Sequence, residues 1–453
     1  MQLLRRLALV LASTLLGPTA GAAPESTAGQ LHRRGVHCME VLERPECAID
    51  RFEELLAEDT RERALLTDAI LRLVKLYRRA GRDDELRAVL RRFWEAGGGR
   101  RQREGHLPYS ARFLPEGLDF IAHVDIQAAL SSELAARMPV ELSEAVTACD
   151  ELRQRQLSDL WLVRRAQRRA AERGISTQAA IESLHREEQE RRRRYEERAR
   201  QREGAGRTSD PPVFGAAICP VARALGMDST ATWTRAAFAV DHRDSRRSAA
   251  IVEIPGLAAK IDAAVAAGAL APTPSGRLRL VGHSYAGAPV ELVSLDLDQL
   301  LIAPAALMPE IATAAASGRA TLNRQVKRLI SGIPLGASFF AVTTGEALSA
   351  LSLGGVQGTK RRLLEALLPR PTGLQVAGVA HEYFGVFVRM PTDNPLKASA
   401  LVDLATKLLD SSESDEGTRA LVSGLDLAQA SDRQALLVSY VASPAELEEL
   451  ALR

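Results

Sequence analysis

The stretch Leu278-Arg279-Leu280-Val281-Gly282-His283-Ser284-Tyr285-Ala286-Gly287-Ala288-Pro289-Val290-Glu291-Leu292-Val293-Ser294-Leu295 decides the fold class. Leu278, Leu280 and Val281 lead into small residues, and the chain leaves through Pro289, Val290 and Val293. Proline breaks a helix interior because it lacks an N–H and clashes with the preceding turn, and β-branched side chains favour extended backbone. The chain therefore runs extended on both sides of Gly282–Gly287, with Ser284 at a hairpin turn. Together with Leu300–Ala303, the runs Arg277–Val281 and Val290–Leu295 read as a three-stranded meander, which is an antiparallel habit.

Working outward, Thr234–Asp241 and Ser248–Glu253 read as strands joined by His242–Arg247, with a helix over Leu257–Ala267. Upstream, the strand Phe120–Asp125 runs into a helix from Ile126 to about Arg137. The pattern then recurs. Gly117–Ala122 matches Gly336–Ala341 at an offset of 219. The hairpin Ala236–Ile254 and its helix match Ala377–Met390 and the helix Leu396–Leu409 at an offset of about 140. The difference, roughly 80 residues, is the size of a charged insertion with its flanks. The expected fold is α+β: an N-terminal helical hairpin, then a duplicated antiparallel α+β domain interrupted by that insertion. The first unit occupies residues 111–150 and 212–333, and the second 334–453.

The insertion, residues 151–205, is dense in arginine and glutamate. Glu187 with Arg191, Glu188 with Arg192, Glu190 with Arg194 and Glu196 with Arg200 are spaced i to i+4 with glutamate first, which supports a solvated helix. Leu157, Leu160 and Trp161, then Ala180, Ile181 and Leu184, form partial apolar sets, and Gly174 divides the segment into two helices. The interleaved acids cancel the field that would attract phosphates, so no nucleic-acid partner is expected.

The 453 residues, 46% hydrophobic and 26% charged, exclude wholesale disorder and a multispanning membrane protein. Lys and Arg number 59 against 57 acids, and the first 22 residues hold Arg5, Arg6 and no acid, so the remainder is neutral. Arg5-Arg6, the apolar run Leu7–Leu16 and Ala20-Gly21-Ala22 resemble a bacterial secretory signal peptide over residues 1–22, which implies export to the periplasm or beyond. No later segment is long and apolar enough for a transmembrane helix. In an oxidising compartment the four cysteines allow three connectivities. Closeness in sequence favours Cys38 with Cys47, and Cys149 with Cys219 would bracket the insertion. No C-x-x-C pair is present, which argues against a structural zinc site built on them.

Residues 30–96 read as helices, followed by a Gly/Arg linker over 97–110. Within them, Ile70–Leu86 resembles a tetratricopeptide repeat, with Tyr77 and Gly81 matching the end of the first helix and its turn; Leu86 departs from the small residue that pattern prefers. One repeat implies a helical hairpin rather than a peptide-binding solenoid.

Three motifs carry candidate chemistry. Gly282–Gly287 resembles the nucleophile elbow of α/β-hydrolases, which implies Ser284 as nucleophile and His381, the one histidine after it, as base. Ala286 stands where the family has glycine, strand-forming residues follow where it has a helix, and of the acids Asp296, Asp298 and Asp393 the last comes after His381, against the family order. Asp241-His242-Arg243-Asp244 offers three ligands in four residues, but Arg243, Arg246 and Arg247 would repel a cation, so it reads as a solvated turn. Gly354–Lys360 lacks P-loop spacing. No cofactor or metal is expected. The functional expectation is an exported, non-enzymatic binding or scaffolding protein of the cell envelope with a protein partner; the alternative is a serine hydrolase using Ser284.

Overall fold

The computed structural model describes residues 26–58, 62–95, 114–132, 135–136, 149, 151–203, 213–244, 246–285, 287–316, 322–334, 337–352, 370–380, 382–410 and 424–447. The signal-peptide-like segment, the 97–110 linker, Gly354–Lys360 and His381 lie outside them. The chain divides into two compact units between Ala80 and Gly81, so the helical region expected over 30–96 contributes to both.

The first unit holds α1 (Thr27–Glu40), α2 (Pro45–Ala57) and α3 (Arg63–Ala80). Ser26 caps α1, its Oγ accepting from the Gly29 N–H at 3.0 Å, and Pro45 opens α2, where a missing N–H leaves no bond unmade. A Cys38–Cys47 disulfide joins the end of α1 to the start of α2. Ala48, Ile49, Phe52 and Leu55 recur at helical spacing and are fully buried. Buried polar groups are paired: Asp68 meets the His32 ring at 2.7 Å and accepts from Arg72 Nε at 2.7 Å, while Arg72 also reaches Glu40 at 2.9 Å. Burial alone would raise the Asp68 carboxyl, but the His32 bond and the Arg72 charge outweigh it and hold the group below its usual value.

The second unit begins with α4 (Asp83–Glu95) and is organised by one antiparallel sheet of twelve strands. These are β1 (Phe120–Asp125), β2 (Arg235–Val240), β3 (Ser248–Glu253), β4 (Leu270–Pro272), β5 (Leu278–Tyr285), β6 (Ala288–Ser294), β7 (Gln299–Pro304), β8 (Phe339–Thr344), β9 (Gly373–Ala380), β10 (Phe384–Pro391), β11 (Leu425–Gln429) and β12 (Ala435–Ala442). The spatial order is β11-β12-β10-β9-β8-β1-β2-β3-β7-β6-β5-β4. Read outward from the β1–β8 seam, the halves share a five-strand path, β1-β2-β3-β7-β6 on one side and β8-β9-β10-β12-β11 on the other, and β5 and β4 extend the first half by two strands. At the seam the offset of 219 becomes a symmetry of pairing. Phe120 lies opposite Thr343, Val124 opposite Phe339, and Ala122 opposite its own counterpart Ala341.

Helices fill the connections: α5 (Ile126–Leu130), α6 (Glu151–Arg173), α7 (Thr177–Glu203), α8 (Val213–Ala224), α9 (Leu257–Ala266), α10 (Met308–Ala316), α11 (Arg324–Ile330), α12 (Gly345–Ser352) and α13 (Pro395–Asp410). Period-two alternation on β3, β6 and β7 aims Val252, Leu292, Leu300 and Ile302 at α8 and α9, where Val221, Ala222 and Leu257 meet them around Trp233. Each such side chain contributes about 1.5–3 kcal/mol by burial. On the opposite face Phe93 of α4 stacks on Phe387 of β10 at 3.9 Å. The helix expected to reach Arg137 is interrupted after Leu130, and helical backbone resumes at residues 135–136. Ser132 stands at the break: its Oγ donates to the Ala129 carbonyl at 2.7 Å and accepts from the Ala135 N–H at 3.1 Å, capping the helical backbone that follows.

The charged insertion forms α6 and α7, broken after Arg173 and packed on each other through Ala166, Ala170, Ala180 and Leu184, with Arg169 meeting Glu187 at 2.7 Å. A Cys149–Cys219 disulfide closes its base; spanning 70 residues, it limits the unfolded chain by about 4 kcal/mol on the loop-entropy account.

Two positions on the seam strands and their neighbours yield predictions. Gly378 lies under the Phe339 ring, where an added Cβ would come within 1.8 Å of ring carbons. Gly378→Ala is expected to destabilise the second unit by about 1–3 kcal/mol in chemical denaturation. His123, stacked on Phe340 at 5.2 Å with Nδ1 unpartnered among the described residues, is held neutral by burial, its pKa depressed from 6.5 to about 4. A depressed folded pKa means that the unfolded state takes up the proton first as pH falls. Stability should therefore drop between pH 6.5 and about 4, by up to about 3 kcal/mol, and denaturation of His123→Gln across that window should show a shallower fall.

Candidate functional site

Ser284 sits near the end of β5, exposed, and the chain returns directly as β6, with Ser284 opposite Pro289 and Tyr285 opposite Ala288. The register between β5 and β6 slips between Arg279 and Ser284, and Gly282 takes up the distortion with φ of +71°, a region that favours glycine. The His283 ring contacts the Val281 carbonyl at 3.1 Å. The candidate acids are engaged elsewhere. Asp298 accepts from the Gly256 N–H at 3.0 Å, Asp296 from the Leu297 N–H at 2.8 Å, and Asp393 meets Lys397 at 2.7 Å, which lowers its pKa. The structure therefore brings none of these acids to Ser284, and no helix follows it.

Chemistry-bearing side chains gather instead at the loop joining β2 to β3. Asp119, just before β1, is clamped by its backbone: its N–H donates to Val240 of β2 at 3.2 Å and its carbonyl accepts from Thr344 of β8 at 3.3 Å. Its carboxylate takes the His242 N–H at 3.0 Å through Oδ1 and contacts His242 Nδ1 through Oδ2. Asp241 accepts the Arg243 N–H at 2.9 Å, and its own N–H donates to the Arg247 carbonyl at 2.9 Å, which closes the loop. The side chains of Asp119, Asp241 and His242 are only 13%, 14% and 8% exposed.

Two arginines tie this loop to helix starts. Arg247 binds Glu310, in the first turn of α10, through two bonds of 2.7 and 2.9 Å, and approaches Asp241 at 3.3 Å. Arg243 pairs with Glu346 in the first turn of α12. Carboxylates suit helix N-termini, where unpaired N–H groups carry partial positive charge. Each pairing holds the glutamate below its usual pKa and raises that of the arginine. Asp244 is likewise lowered, its desolvation outweighed by Arg246 at 2.9 Å.

Compared with known protein families, curated proteins and solved structures, the chain matches none. Its geometry carries the functional argument.

A pocket of about 220 Å³ adjoins the loop, lined by Arg246, Arg247, Tyr285, Ala288, Pro304 and Leu307 among others. Of the hydrolase-like motif it is Tyr285, buried, that lines this pocket. A second pocket, of about 200 Å³, lies between α4 and the β11–β12 turn, with Arg91, Trp94, Arg389 and Asp432 in its wall. Sequence reasoning singled out Asp241 and His242 but missed Asp119, Glu310 and Glu346. Asp119 lies 123 residues from His242, and no local spacing marks it. Among the described residues, Asp119, Asp241 and His242 form the one group of three His, Cys, Asp or Glu side chains whose donor atoms all lie within 4.8 Å of one another.

The Arg247–Glu310 pair is two-fold hydrogen-bonded but 34% and 44% exposed, so solvent screens it. A double-mutant cycle with Arg247→Gln and Glu310→Gln, read by urea denaturation, is expected to give a coupling below about 1 kcal/mol.

Proposed function

We propose that this chain is an exported, non-enzymatic binding or scaffolding protein of the bacterial cell envelope whose partner is a protein. The observation that carries the reading is the path of the backbone at Ser284. A serine nucleophile requires a strained turn from strand into helix and an imidazole in contact with its hydroxyl. Here the chain continues as β6, Ser284 faces solvent, and the adjacent His283 is turned to a backbone carbonyl.

Export is supported by two disulfides, which persist in oxidising compartments, and by the signal-peptide-like N-terminus. No helix of the described residues is long and apolar enough to cross a membrane. The α6–α7 hairpin supplies a surface for a partner. It is held at its base by a covalent bond, and the described part of it packs through Ala166, Ala170, Ala180 and Leu184 with Leu162 and Ile181, while Glu172, Arg173, Glu182 and Arg186 are exposed.

An activity-based fluorophosphonate probe tests the reading. No labelling that depends on Ser284 is expected; labelling of the purified chain that disappears in Ser284→Ala would establish the hydrolase alternative.

A further inference from the structure

We propose that Asp119, Asp241 and His242 form a binding site for a divalent transition-metal ion of the zinc class. The three offer one imidazole nitrogen and two carboxylate oxygens, a donor set that suits zinc and its first-row neighbours better than magnesium or calcium, which take oxygen alone. Their donor atoms lie within 4.8 Å of one another. In a tetrahedral zinc site, with metal–ligand bonds of about 2.0–2.2 Å, donors stand about 3.4 Å apart. The spacing is thus within reach of side-chain rotation alone.

The cluster is built rather than casual. Backbone bonds to β2 and β8 hold Asp119, the His242 and Arg243 N–H groups each bind one of the two carboxylates, and all three side chains are nearly enclosed. With the His242 ring also on Asp119 Oδ2 and Arg247 on Asp241 Oδ2, each carboxylate uses two of its roughly four lone-pair sites, which leaves both able to ligate.

The arginines of the loop, which in sequence argue against a cation, are neutralised in the fold. Arg247 is drawn to Glu310, Arg243 to Glu346 and Arg246 to Asp244. Asp119, Asp241, Glu310 and Glu346 set four carboxylates against the guanidiniums of Arg243 and Arg247, an excess of two negative charges that a divalent ion would balance. Three protein donors leave a further position on a tetrahedral ion for water or for a donor from a bound partner.

The full chain, stripped with a chelator and dialysed, would be titrated with Co²⁺ by visible absorption and with Zn²⁺ by calorimetry. A single saturable equivalent is expected, with affinity falling roughly tenfold or more in His242→Gln and in Asp119→Asn, and unchanged in His283→Ala, which removes an exposed imidazole outside the cluster. Absence of saturable binding, or equal affinity in wild type and His242→Gln, overturns the site. Should the variants fail to fold by circular dichroism, X-ray absorption of the zinc-loaded wild type decides: one imidazole with oxygen ligands supports the assignment, and a shell without imidazole or with several refutes it.

Discussion

The pairing of β1 with β8 is the constraint on which the second unit depends. One half runs seven strands outward from the seam and the other five, and the inner strand of each would otherwise present a row of unpaired N–H and C=O groups, which are costly to bury without partners. Joining the two inner strands satisfies both at once. The register is enforced by side chains: Ile121 meets Val342 and His123 stacks on Phe340, so a one-residue slip would turn these to the wrong face.

The same seam assembles the polar cluster. Asp119 stands at its end because its backbone bonds to β2 on one side and to β8 on the other. The β2–β3 loop then brings His242 and Asp241 to it, and the helix that follows β8 brings Glu346. Most of these ion pairs are partly exposed and contribute little to stability. Their effect is orientation: they fix the loop, offset the charge of its arginines and leave the donor atoms of two carboxylates and an imidazole within 4.8 Å of one another. Among the described residues, the charged α6–α7 hairpin packs on itself through Ala166, Ala170, Ala180 and Leu184, and Cys149–Cys219 joins the chain before it to α8 after it.

Much of the architecture was legible in the chain itself. Period-two runs marked β2, β3, β6 and β7 to within a few residues, Pro289 and its β-branched neighbours announced a hairpin after Ser284, Gly174 marked the break in the insertion, closeness in sequence paired Cys38 with Cys47, and the bracketing of the insertion paired Cys149 with Cys219. These signals are local, set by backbone sterics and by side-chain periodicity over a few residues. The break after Leu130 in the helix that follows β1 was not legible, because it is made by the hydroxyl of Ser132 bonding to the backbone, an effect that apolar spacing does not register.

Tertiary structure alone decided which residues share a site. Asp119 and His242 are 123 residues apart, and Arg247 and Glu310 are 63 apart, so their contacts depend on strand order and on the β1–β8 register. Read along the chain, Arg243, Arg246 and Arg247 made the loop look hostile to cations; folded, each guanidinium has a carboxylate partner. Local chemistry determines the elements, because each residue's conformational preference is felt within a few neighbours. The electrostatic character of a site is a sum over groups brought together from distant positions, and only the folded chain performs that sum.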